Sequence, residues 1–583
     1  MSGIVEVALF WVATGCLALY TLYKLVRLVA YSRYQKLPQE THAFYLNYGN
    51  NIPVEQEVTA KSLPVVGTMP ADLDGVFLRT GPNPKFPVIN EEQYGWFDGD
   101  GHIHGIQVAH DAQSKEALVS YSNRWVETSK LLQEEEVNKA IFPNPAGSHG
   151  WVGFYELAKE SIAESSGKVD ISKKLATGSL GRGNTALLYH HNKLYGLYEG
   201  DAPYGLQVLC HAAIQTLEWE TNGLSFPFTA HPKIDAVNGE CVFFGAQSTA
   251  KPYLTMGVMS ADGTVTRTVP VTDIAQPKFI HDFAITTHFM VIMDLPLTFD
   301  FNNPLKHPVN GESILFKPEI GARLGLLPRT EIGQQALGLD SMNKLKWFDL
   351  PSACFVFHVF NAFEVSQTRS ATADPEAALP TAVRLLACRM ANIDMAIMRD
   401  PSYFKDDMVM EVFQFDLDIT TGKAAQTTVA KGTYGEFPMV NPRTVSIKSQ
   451  YGYMASYIPQ PGTTWWSGGE FPRVVKIDFD SGKMVGEVAF ADCIPRKSAD
   501  GVVSGGECRF VPKQPSAGAA EDDGYLLTYV HDEAVNISYF VVIDAKNMLP
   551  MASVQLPQRV PYGFHTTYLT KTELDVLKGV VST

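Results

Sequence analysis

The sequence predicts an all-β protein, and among all-β folds a propeller, behind one N-terminal membrane helix. Three observations carry this. From Leu63 onward the chain is written in short apolar runs cut by Gly, Pro and Asp, with almost no long amphipathic helix. Four histidines (His231, His281, His358 and His565) stand in apolar or aromatic surroundings, 50, 77 and 207 positions apart. No local metal loop spans such distances, whereas the innermost strands of a propeller all face one axis and bring remote residues together there. The third is the segment from Val7 to Tyr23, which is free of charge. The chain accordingly divides into a membrane anchor (1–36), a connecting arm (37–62) and a β domain (63–583).

The anchor comes first. Its uncharged run is just long enough to cross a thin bilayer, and the Lys24 stem extends it by snorkelling. A secretory leader would carry positive charge before the apolar run, where this chain has only Glu6. Here Lys24, Arg27, Arg33 and Lys36 follow the run. The expected product is a single-pass protein whose β domain faces the cytosol. Seven cysteines without a C-x-x-C fit that reducing compartment. A net charge of −15 argues against nucleic acid as a partner, since phosphates call for basic surface. Hydrophobic content of 45% and charged content of 19% describe an ordinary globular core.

Beyond the polar, irregular arm, hairpins repeat. Residues 185–189 turn at His190–Lys193 into L-Y-G-L-Y, and V-V-K-I-D-F turns at Asp480–Lys483. Phe413–Asp418 and Tyr539–Asp544 are further strands running into acidic turns. Two stretches imitate ligand sites. Asp98-Gly99-Asp100-Gly101-His102-Ile103-His104 suggests a calcium loop or an H-x-H site, but the twelfth position of an EF-hand count is Ala109, so it reads as a tight acidic turn. Gly178–Gly183 lacks the G-K-[ST] of a phosphate loop and reads as a flexible loop. Neutral imidazole is the commonest metal ligand, and four together make a nitrogen-rich site suited to iron, copper, nickel or zinc.

Taken in order, the motifs resemble those of the carotenoid cleavage dioxygenases from about Leu63 to Tyr568. The markers are D-G-V-F-L-R-T-G-P-N-P (74–84), W-F-D-G-D-G (96–101), N-T-A-L (184–187), T-A-H-P-K-I-D around His231, and H-D-F-A-I-T from His281. E-F-P-M-V-N (436–441), G-E-C-R-F-V-P (506–512), E-D-D-G-Y-L (521–526) and V-P-Y-G-F-H ending at His565 complete the series. The plant enzymes that cut at the 9,10 double bond look most similar, notably around residues 122–135.

This resemblance implies a seven-bladed β-propeller with a loop and helix dome over its active site. Fe(II) would sit on the axis, held by His231, His281, His358 and His565. Glu199 would orient His281, Glu436 would orient His358 and Glu507 would orient His565, since a carboxylate on the distal N–H fixes tautomer and ring. Thr185 matches the family threonine whose methyl lies near one open coordination position. Trp125, Phe357, Phe437 and Phe564 would line the substrate tunnel. The partners implied are dioxygen, a lipophilic polyene and the membrane that dissolves it. One conjugated double bond would be cut into two carbonyl products. Trp465 and Trp466, in a Gly/Pro-rich loop, are candidates to dip into that membrane. Stilbene-cleaving relatives share the iron site, so a phenolic stilbene is the alternative substrate. A retinoid isomerase and a non-catalytic binding propeller are weaker readings, the last because an inactive descendant would lose ligands that this chain keeps.

Overall fold

Antiparallel meanders account for most of the chain in the computed structural model. It describes residues 2–36, 42–111, 113–144, 149–176, 178–365, 379–459, 470–495, 501–513 and 519–579, with 2–10 as backbone only. Three four-stranded sheets follow one another within residues 186–219, 233–271 and 284–349. An eight-stranded sheet spans 355–489 and a six-stranded one is built mainly from 503–555. Leu297–Phe299 and Ile314–Phe316 form a two-stranded sheet, and the last sheet has five strands, ordered Thr59–Leu63, Ala117–Trp125, Gly101–His110, Gly75–Pro82 and Thr566–Thr570. It therefore pairs an early strand with the last strand of the chain, Gly75 opposite Thr570 and Arg79 opposite Thr566.

The local chemistry is that of hairpins. Between Ala186–His190 and Lys193–Leu197 the two turn residues, His191 and Asn192, both have positive φ (39° and 62°). That is the turn whose twist matches paired strands. After Arg473–Asp478, Asp478 Oδ1 accepts from the Asp480 and Ser481 amides, and Gly482 takes φ 65° before the return strand. Alternate side chains then enter shared cores. The largest cluster contains Phe289, Phe348, Phe355 and Phe490, all essentially inaccessible.

Helices are few. Short helical turns lie at Met395–Met398, Pro401–Tyr403 and Asp406–Met408, and longer helices at Ser129–Val137 and Gly150–Ser165. The N-terminal helix runs from Ser2 to Tyr34. Its segment Trp11–Tyr34 is long and apolar enough to cross a membrane, and its side chains are largely exposed. Near its C-terminal end it touches the body: Tyr23 stacks on Tyr155 at 3.9 Å and its hydroxyl donates to Glu156.

Two sequence expectations need correction. The segment assigned as a connecting arm is structural: Phe44 and Tyr45 join the largest core, and the Tyr45 hydroxyl donates to the Ile397 carbonyl at 2.8 Å. Asn50 in turn donates to Val560 O and accepts from the Tyr562 amide, bracing the stretch before His565. The loop 178–183 is likewise pinned. Arg182 is buried and donates to Pro143 O, and a Cβ on Gly101 would lie 2.4 Å from Gly183 O. Trp465 and Trp466 lie outside the described residues.

Candidate metal centre

Each of the four histidines sits where a strand begins or breaks register. His231 precedes Lys233–Ile234, His281 precedes Ala284–Ile285, and His565 immediately precedes Thr566–Thr570. His358 lies inside Phe355–Val365, where the register shifts between Val356 and Val359. A bulge of this kind turns a side chain out of strict alternation. Close backbone approach places the last ligand: a Cβ on Gly81 would stand 2.7 Å from Gly563 Cα, so only glycine allows this contact.

The side chains converge. One donor atom from each of His231, His281, His358 and His565 lies within 4.8 Å of the others. His231 Nε2 is 3.1 Å from His281 Nε2, which is 3.1 Å from His358 Nε2. Three carboxylates stand behind three of the rings. Glu199 meets His281 Nδ1, Glu436 Oε2 lies 2.6 Å from His358 Nδ1, and Glu507 Oε1 lies 2.9 Å from His565 Nδ1. Glu507 is itself fixed by the Thr566 amide and hydroxyl. Glu436 is fixed by the Phe437 amide, at a second register shift where Phe437 adopts φ 55°. A non-glycine residue in that region stores strain, here right beside the site.

These partners decide the tautomers. A ring whose Nδ1–H is spent on a carboxylate presents an unprotonated Nε2. Lone pairs of neutral imidazoles facing one another at 3.1 Å repel, and a cation between them removes the repulsion. Burial, reinforced by the neighbouring imidazoles, holds His231 and His358 well below the ordinary histidine range, so both rings are neutral. Burial also acts to lower His281, but Glu199 outweighs it and the net shift is upward. His281 is therefore the ring whose proton a cation would displace. Burial pushes Glu436 up to about 8, and a divalent charge nearby would restore its carboxylate. The donor set fits a divalent first-row metal.

A second network ties the ligand segments together. Asp282 Oδ1 receives Lys233 Nζ at 2.6 Å, and Oδ2 accepts from the Val359 amide at 2.9 Å. Asp282 adjoins His281, Val359 adjoins His358, and Lys233 is two residues from His231. One buried carboxylate thus braces three ligands. Sequence reasoning passed over it, although a charged pair inside apolar strands signals a partnered interior.

Known proteins match the chain along most of its length. The family model described as retinal pigment epithelial membrane protein matches residues 51–570. Carotenoid 9,10(9′,10′)-cleavage dioxygenase 1 of Pisum sativum is 36% identical over 545 residues, 90% of either chain. The chain belongs to the carotenoid cleavage dioxygenase family. The Arabidopsis thaliana relative of the same name is also 36% identical, again over 90% of both chains. A solved apocarotenoid oxygenase from Synechocystis superposes with a TM-score of 0.67 at 22% identity, covering 91% of this chain and 99% of that one. Lignostilbene dioxygenase from Pseudomonas brassicacearum gives 0.69 at 20% identity, covering 90% and 98%. The fold is thus the propeller-type all-β fold of carotenoid oxygenases. Enzymes of this family act on lipophilic polyenes with dioxygen.

The site opens on an apolar space. A cavity of about 400 Å³ is walled by His281, His358 and His565 together with Phe357, Phe437 and Phe564. Thr185 also lines it; its hydroxyl donates to Asn184 Oδ1, whose amide is held by the Phe97 and Gly99 carbonyls. Trp125 is not on this wall. It stacks on His102 at 4.4 Å and donates to Asn83 O, inside the five-stranded sheet. Trp96 and Phe97 line the cavity instead, Trp96 against Phe564 at 5.0 Å. Met395 and Met398, from a short helical turn, and Met410, just before the strand Glu411–Asp418, also line it. The H-x-H stretch stays apart from the centre: His104 contacts the Tyr121 hydroxyl, His102 contacts Asn123, and Asp100 pairs with Lys130.

Proposed function

We propose that the protein is an iron(II) dioxygenase that cuts a conjugated double bond of a carotenoid or apocarotenoid into two carbonyl products. The observation that carries this is the convergence of four histidine donors, three of them on the wall of an aromatic cavity. His231, His281, His358 and His565 would hold the metal. At a metal–nitrogen distance of about 2.1 Å, a donor spacing of 3.1 Å subtends about 95°, against about 3.4 Å for a tetrahedral pair. That spacing is closer to a right angle than to a tetrahedral one and supports iron(II) over zinc as the ion these residues would hold. Iron(II) bound there would supply dioxygen activation.

The protein's own groups do the rest. Glu199, Glu436 and Glu507 take the Nδ1 protons and keep the rings aimed. The Thr185 methyl, its hydroxyl being engaged, narrows one approach to the centre. Phe357, Phe437 and Phe564 confine a rigid polyene so that one double bond faces the metal. No proton donor or acceptor is required, because both oxygen atoms of dioxygen end on the two carbons of the broken bond. Counting the eight-stranded sheet as two blades, joined where Glu411 pairs with Tyr434, gives a propeller of seven. The helix Trp11–Tyr34 anchors the enzyme in the membrane that dissolves its substrate, with the basic flank holding the body on the cytosolic side.

The test is product identification. Iron-loaded enzyme is incubated separately with β-carotene, an apocarotenal and resveratrol under oxygen. Aldehyde or ketone pairs from a polyene support the reading. Products from resveratrol alone would assign the site to stilbenes, and none from any substrate would overturn it.

A further inference from the structure

The cavity wall is held in two different ways. Phe357 and Phe437 stand on the paired strands Phe355–Val365 and Tyr434–Met439, so sheet pairing places them. Trp96, Met395 and Met398 stand on no strand. Trp96 lies in a turn, and the two methionines in the four-residue helical turn Met395–Met398. So short a helical turn has little stiffness of its own, and its position has to come from contacts.

Tyr45 supplies two of these contacts, although it does not itself line the cavity. Its hydroxyl donates to the Ile397 carbonyl at 2.8 Å, and its ring stacks on Trp96 at 5.8 Å with the planes 13° apart. Trp96 N donates in turn to Met398 O at 2.6 Å, which closes a triangle. Tyr45 and Ile397 are 2% and 0% exposed, so a carbonyl deprived of this donor is left unpaired in the interior. From Trp96 the contact continues to Phe564 at 5.0 Å, the residue before His565. On the other side, His42 of the same segment stacks on Tyr34 of the N-terminal helix at 4.3 Å.

Neighbouring double bonds of a polyene are alike in chemistry, so the one that is cut is the one the wall brings opposite the metal. We propose that Tyr45 is a positioning residue for this choice: by holding Trp96 and the Met395–Met398 turn, it decides which double bond lies there. This rests on the polyene-cleavage reading.

The experiment scores products rather than rate alone. Full-length iron-loaded enzyme is incubated with β-carotene and with an apocarotenal, and the carbonyl products from each double bond are separated and quantified. The parent should cut one bond predominantly. Tyr45→Phe keeps the ring on Trp96 and loses only the hydrogen bond to Ile397. Its ratio of neighbouring-bond to main-bond products should rise about fivefold, the worth of one buried hydrogen bond. Tyr45→Leu, which loses the stack as well, should raise the ratio further where it folds. Iron per chain in Tyr45→Phe should match the parent, since no histidine of the centre and none of its carboxylate partners is touched. An unchanged ratio in Tyr45→Phe, whether or not the rate falls, would mean that Tyr45 only stabilises the fold, and would overturn the assignment. Loss of iron in that variant, or a parent that cuts neighbouring bonds equally, would overturn it too. A parent that cleaves neither polyene would sink the underlying cleavage reading, and this inference with it.

Discussion

Replacing Asp282 by alanine should loosen the metal centre without touching a ligand. The carboxylate joins Lys233 Nζ at 2.6 Å to the Val359 amide at 2.9 Å, and its own residue is 1% exposed. Removing one partner of a buried ion pair costs about 3–5 kcal/mol. Lys233 keeps 19% of its side chain exposed, which favours the lower end of that range, about 3 kcal/mol. The orphaned Val359 amide adds about 1 kcal/mol, for a total near 4 kcal/mol. Because three ligand segments lose a common brace, metal affinity should fall about 10–100-fold, as for other groups that support ligands from behind. The assay has two readouts: thermal unfolding of the metal-free protein, and iron retained per chain after dialysis against a graded chelator. Asp282→Asn, which keeps the volume and one acceptor but no charge, should fall between parent and alanine. If Asp282→Ala retains iron like the parent and melts within about 1 °C of it, the brace contributes nothing and the reasoning is wrong.

Three further outcomes follow from the same geometry. His281→Ala should abolish cleavage and most iron binding, checked by metal analysis beside product formation; full iron occupancy with normal turnover would refute its role. Glu436→Gln, which still accepts one hydrogen bond from His358, should fold normally yet lower metal affinity or activity about 10–100-fold; unchanged values would show that His358 needs no charged partner. Removal of residues 1–36 should leave a soluble, iron-loaded enzyme, since the helix meets the body through a few side chains: Tyr23 on Tyr155 and Glu156, Arg27 with Glu92, Ala30 near Val152 and Tyr34 on His42. Its activity should survive on detergent-solubilised substrate and fall on substrate in liposomes, and a truncated protein that misfolds would make the helix part of the core.

The strands and the candidate ligands were legible because each carries a local mark. Hairpins show turn residues between apolar runs, and the histidines stand out in apolar text. What escaped is tertiary. Asp282 and Lys233 look like ordinary charges until the sheets bring them within 2.6 Å. Phe44 and Tyr45 lie in a helical turn of only four residues, too short to show a period, so their burial was invisible. Trp125 and Trp96 are both aromatic marks near the same sheet, and only the register of Ala117–Trp125 against Gly101–His110 sends Trp125 onto His102. The bulges at His358 and Glu436 break the alternation on which strand reading depends.

The pairing of the last strand with an early one has a consequence for the protein's birth. His231 leaves the ribosome more than three hundred residues ahead of His565, about half a minute at ordinary translation speeds. During that interval the first sheet lacks its partner Thr566–Thr570, and the nascent chain carries three imidazoles without the fourth. The four imidazoles can therefore meet only once His565 has been made. A chain cut short before His565 would lack both the fourth imidazole and the strand that pairs with Gly75–Arg79, and quality control would meet it as an open, apolar-edged intermediate.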